Sequence, residues 1–76
     1  MNKARRAELN RIINTLTDLK SDVEAIHDDE EGAMENMPES LQETDRYIQM
    51  EDAVCNLDDA IGCLEDAIDY LESAME

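Results

Sequence analysis

Glu51-Asp-Ala-Val-Cys-Asn-Leu57, Asp58-Asp-Ala-Ile-Gly-Cys-Leu64 and Glu65-Asp-Ala-Ile-Asp-Tyr-Leu71 stand end to end, followed by a partial copy, Glu72-Ser-Ala-Met75. Each unit reads acid, acid, Ala, branched apolar residue, two variable positions, Leu. The apolar positions of the whole segment are Tyr47, Met50, Val54, Leu57, Ile61, Leu64, Ile68, Leu71 and Met75. They step by threes and fours, the heptad spacing that lines up one face of an α-helix against a neighbour. The spacing predicts a helix over about 44–75. The Ala column of Ala53, Ala60, Ala67 and Ala74 flanks this stripe, where small side chains let another helix approach.

Upstream, Leu9, Ile12, Leu16, Leu19, Val23 and Ile26 repeat the same steps, with Ile13 widening the stripe. This predicts a first helix over about 3–31. Gly32 is a plausible stop signal. Pro38 disfavours helix at Met37. Asn36 with Glu39, and Ser40 with Glu43, are spaced like capping boxes, and Thr44 is a third candidate cap. The connector over about 32–43 then holds one helical turn at most, with Met34, Met37 and Leu41 folding over the end of the core. Two helices of similar length joined by a short connector make an antiparallel hairpin. The expected fold is therefore all-α, a coiled-coil-like two-helix hairpin forming one domain over 1–76. Its core stripe is Leu9, Ile12, Leu16, Leu19, Val23 and Ile26 against Val54, Leu57, Ile61, Leu64, Ile68 and Leu71.

Charge divides the chain unevenly. Residues 1–20 carry Lys3, Arg5, Arg6, Arg11 and Lys20 against Glu8 and Asp18; Arg46 is the only basic residue after them. An antiparallel hairpin is expected to set Lys3, Arg5 and Arg6 beside Asp69, Glu72 and Glu76. Because a lone hairpin leaves half of each stripe wet, a homodimer forming a four-helix bundle is expected as well.

The net charge is -15, from 21 acidic and six basic residues. Such a surface repels phosphate and anionic lipid, which argues against nucleic acid and acidic membranes as partners and favours a basic protein surface. Hydrophobic content of 42% in regular period argues against disorder. Cys55 and Cys63 are eight residues apart on one helix, about 12 Å along its axis and too far for a disulfide between them. They read as free thiols of a reducing cytoplasm. No apolar run has signal-peptide or transmembrane length, so the expected location is cytoplasmic.

Chemistry-bearing motifs are thin. Glu24-Ala-Ile-His27 has the Glu-x-x-His spacing of di-iron bundles, but such sites need a second copy and two more inward glutamates. Beside the core stripe, His27 reads better as a surface residue near a helix end. Asp28-Asp-Glu-Glu-Gly32 has the glycine of a calcium loop but puts His27 where the first ligand belongs. The cysteines lack a Cys-x-x-Cys partner. No nucleophile–base pair or phosphate loop is present. The chain reads as a non-enzyme with no cofactor and no metal. What remains is the acidic ridge of the second helix: Asp58, Asp59, Glu65, Asp66 and Glu72, extended by Asp69, Glu51 and Asp52. Seven helical residues advance about 10.5 Å, so paired carboxylates recur at that interval. The ridge either docks on a basic groove or only keeps the protein soluble as an accessory structural module. An oligomeric small-ligand sponge is a weaker reading, disfavoured for anionic ligands by the charge.

The connector Asn36-Met-Pro-Glu-Ser-Leu-Gln42, set between an Arg-Arg-bearing first helix and the acidic repeat, resembles a group of small acidic proteins of phages and prophages of Gram-positive bacteria. The resemblance spans most of the chain, and the connector is its distinctive part. It implies a setting in which small acidic proteins inhibit host enzymes, DNA mimics among them.

Overall fold

The computed structural model describes all 76 residues. Helix α1 spans Lys3–Glu35, a single 3-10 turn spans Glu39–Leu41, and helix α2 spans Asp45–Ala74. The two long helices pack on each other and there are no strands. The molecule is an all-α helical hairpin.

Local chemistry sets the ends. Asn2 caps α1, its side-chain oxygen accepting from the Arg5 N–H at 2.8 Å. The helix passes through Gly32 and ends at Glu35, four residues beyond the expected stop. Gly32 has no positive φ, so it acts as an ordinary helical residue, and termination falls instead just before Met37-Pro38. The C-cap Asn36 is right-handed and donates its N–H to the Gly32 carbonyl at 3.0 Å, and the Met37 N–H donates to the Met34 carbonyl at 3.2 Å. Neither expected capping box forms. Thr44 caps α2, accepting from the Tyr47 N–H at 3.4 Å and donating its own hydroxyl to the Leu41 carbonyl at 2.6 Å. Gln42 Nε2 donates to the Met37 carbonyl at 3.2 Å and ties the connector back on itself. Met34 and Met37 are half-buried at this end, while Leu41 is exposed.

Two cross-hairpin contacts fix the register. Lys20 Nζ lies 3.4 Å from Glu65 Oε1, and His27 Nε2 lies 2.9 Å from Asp58 Oδ1. The pairs advance by one heptad on α1 and retreat by one on α2, as antiparallel helices must. Extending that register sets Glu76 level with Leu9, so the first two turns of α1 overhang the end of α2. The 59 Å long axis agrees: it exceeds the roughly 50 Å of a helix of α1's length. Lys3, Arg5 and Arg6 therefore do not sit beside Asp69, Glu72 and Glu76, and none of the three forms an ion pair.

The facing of α1 differs from the expected one. Its inward positions are Leu9, Ile13, Leu16, Lys20, Val23, His27 and Met34, all buried or half-buried. Leu9, Leu16 and Val23 belong to the expected stripe. Leu19 and Ile26 do not line the hairpin core; they are 49% and 59% exposed. Ile12 is half-buried. The inward stripe is turned by about 50° from the most apolar one. In that orientation Lys20 and His27 meet acids of α2 and Ile13 is buried. α2 behaves as its spacing predicts, with Tyr47, Met50, Leu57, Ile61, Leu64, Ile68, Leu71 and Met75 half-buried and Val54 buried. Of the Ala column, Ala53 and Ala67 are half-buried and Ala60 and Ala74 exposed. Only Ile13 and Val54 are buried, at 9% and 8% exposed, and no side chain is fully enclosed. The chain exposes 5599 Å², against about 4700 Å² for a compact monomer of this mass.

Candidate functional site

The five ridge residues are all on α2 and all exposed, but they divide into two groups. Asp58 and Glu65 sit on the flank that meets α1, and each faces a basic side chain across the seam, His27 and Lys20 respectively. Asp59 and Asp66, one residue further round, have no cationic neighbour within 4 Å, and neither does Glu72. Asp52 continues the outer column one heptad earlier, also unpaired. The ridge is thus an inner edge, paired across the seam at Asp58 and Glu65 but not at Glu51 or Glu72, and a free outer column of Asp52, Asp59 and Asp66.

The inner edge has two nodes. At one, Lys20 reaches Glu65 at 3.4 Å and Glu24 at 3.7 Å; its aliphatic stem lies along the seam while the ammonium meets the acids at the rim. Glu24 therefore serves Lys20 and does not act with His27. At the other node, His27 is held in the seam with its side chain 12% exposed, where the sequence reading put it on the surface. Its Nδ1–H donates to Asp28 Oδ1 at 3.0 Å. Nε2 is sealed from solvent, and its acidic neighbours, Asp58 at 2.9 Å and Glu31 at 3.6 Å, lie off the N–H axis. These two contacts act through charge more than through directed hydrogen bonds. The hydrogen bond to Asp28 raises the imidazole pKa above its ordinary value; loss of water opposes this, and the charges of Asp58 and Glu31 add to the rise.

His27, Asp28 and Glu31 bring ligand atoms within 4.8 Å of one another, the donor types that suit a divalent cation. In its charged form the imidazole has no lone pair to offer a metal, and the raised pKa favours that form. The stretch Asp28 to Gly32 is continuous helix, not the loop a calcium site of that kind requires. Cys55 and Cys63 are exposed free thiols. The hairpin encloses no pocket. No helix is long and apolar enough to cross a membrane.

Sequence reasoning missed the two cross-seam nodes because it ranked stripes by hydrophobicity. One signal was available: Lys20 and His27 are seven apart, as are Asp58 and Glu65, so antiparallel helices can pair both at once. No family model, curated protein or solved structure matches the chain.

Proposed function

We propose that this hairpin is a non-catalytic protein-binding module of the cytoplasm that lays the acidic face of α2 on a basic surface of another protein. The phage resemblance supports an inhibitor role within this reading, with a host or defence protein as the target and the carboxylates standing in for nucleic-acid phosphates. The observation that carries the reading is the free outer column, in which Asp52, Asp59 and Asp66 recur every heptad with no cation spent on them. Unpaired carboxylates on a rigid rod keep their field for a partner, speed its encounter and make the complex salt-sensitive.

The test is affinity capture from host lysate at low and moderate salt, comparing wild type with a variant in which Asp58, Asp59, Glu65, Asp66 and Glu72 become Asn or Gln. The proposal expects a captured partner to be lost from the variant and weakened by salt. A partner held equally by both proteins reduces the ridge to a solubilising face.

A further inference from the structure

Helix α1 carries a second apolar row that the hairpin only partly covers, at the half-buried Ile12. Ile12, Leu19 and Ile26 recur every seven residues, and Leu19 and Ile26 are among the most exposed large apolar side chains of the chain. In a hairpin this thin the exposure is costly, because little else is buried to offset it. The accessible surface exceeds that of a compact monomer by about 900 Å². A standard protein interface removes about 800 Å² from each partner.

Charge selects the occupant. The row continues to Arg5 at one end and Ala33 at the other, with Leu19 at its centre. A two-fold axis at Leu19 sets Leu19 against Leu19, and Ile12 against Ile26 of the second copy. It also sets the overhanging Arg5 against Ala33 of the second copy, where Asp29 and Glu30 lie one turn back. A parallel pairing instead brings Arg5 and Arg6 against themselves and the Asp28–Glu31 acids against themselves. Glu8, which the antiparallel register brings near Glu30 of the second copy, is already paired with Arg11 at 3.0 Å. We propose that a second copy of this chain covers the Ile12–Leu19–Ile26 row, α1 against α1, antiparallel about a two-fold axis at Leu19. The four-helix bundle then has the two α1 helices at its centre and leaves both acidic columns of α2 outside.

Sedimentation of the whole chain at micromolar concentration reads the assembly, and a dimer of twice 8.6 kDa is expected. Leu19→Glu places two carboxylates at the axis and is expected to raise the dissociation constant at least a hundredfold. Leu19→Cys, in a Cys55→Ser/Cys63→Ser background, covers the case in which Leu19→Glu fails to fold. It is expected to crosslink to itself under mild oxidation. Ile12→Cys is not expected to do so, since its two copies stand about 21 Å apart along the axis, but it should crosslink when mixed with Ile26→Cys. A monomeric wild type, a folded Leu19→Glu variant that dimerises like wild type, or self-crosslinking of Ile12→Cys in preference to Leu19→Cys overturns the proposal.

Discussion

His27 Nε2 on α1 lies 2.9 Å from Asp58 Oδ1 on α2, and the same imidazole donates through Nδ1 to Asp28 at 3.0 Å. The ring spans the seam between two helices whose remaining charges are mostly of one sign. In its charged form it is a cation among three acids, Asp28, Glu31 and Asp58.

Its folded pKa is raised above the ordinary histidine value, which sets the sign of a pH effect. The contribution of His27 is fully present below about pH 6.5 and is lost as pH rises through the folded value. The stability gap between wild type and His27→Gln is expected to be widest below about pH 6.5 and to narrow as pH rises through the folded value. Thermal melts of both proteins across those pH values check it. The difference must be read, not the wild-type curve, because the other acids of the chain also titrate their mutual repulsion. A gap that stays constant with pH shows that His27 contributes by packing alone.

Ile13 and Ile26 are expected to exchange the importance that a heptad count assigns them. In the Leu19→Glu background, which isolates the single hairpin, Ile13→Ala should cost about 2 kcal/mol, the low end for a large-to-small change in a thin core. Ile26→Ala should cost under about 0.5 kcal/mol, as for a surface site. Urea unfolding measures both, and equal costs would place α1 in the other facing.

The fold was legible because the α2 repeat is regular enough to leave one face apolar. Its stripe from Tyr47 to Met75 lies inward throughout. The rotation of α1 was harder to read, because Leu9, Leu16 and Val23 serve two overlapping stripes. One is completed by Ile12, Leu19 and Ile26, the other by Ile13, Lys20 and His27. Apolarity favours the first, and the pairs with Glu65 and Asp58 accompany the second. Each exposed pair is worth under about 1 kcal/mol, too little to announce itself in a sequence. The same blind spot hid the split of the ridge into a paired edge and a free column, since membership depends on what α1 sets opposite.

Gly32→Ala is expected to stabilise the protein by about 0.5–1 kcal/mol. The site is helical without a positive φ, and a Cβ there meets nothing within 4 Å. A rise in the unfolding midpoint checks it. A fall would restore Gly32 as the stop its position in the sequence suggested.

Neutralising different parts of the ridge should move stability in opposite directions. Asp59→Asn with Asp66→Asn relieves like-charge repulsion among unpaired acids and should raise the melting temperature at low salt. Asp58→Asn with Glu65→Gln removes both cross-seam partners and should lower it slightly. Added salt should shrink both shifts.

The stagger of the two helices also sets the route by which the hairpin opens. Each turn of α1 touches only the turn opposite it, so there is no central core to melt as one unit. The end at Lys3 and Glu76 has an overhang on one strand and no covalent link, whereas the other end is tied by the connector. Unzipping therefore starts at the staggered end opposite the connector and travels toward Pro38. Amide exchange should slow along α1 from Leu9 toward His27, and proteases should reach the Arg5–Arg6 turns while the His27–Asp58 clasp is still shut.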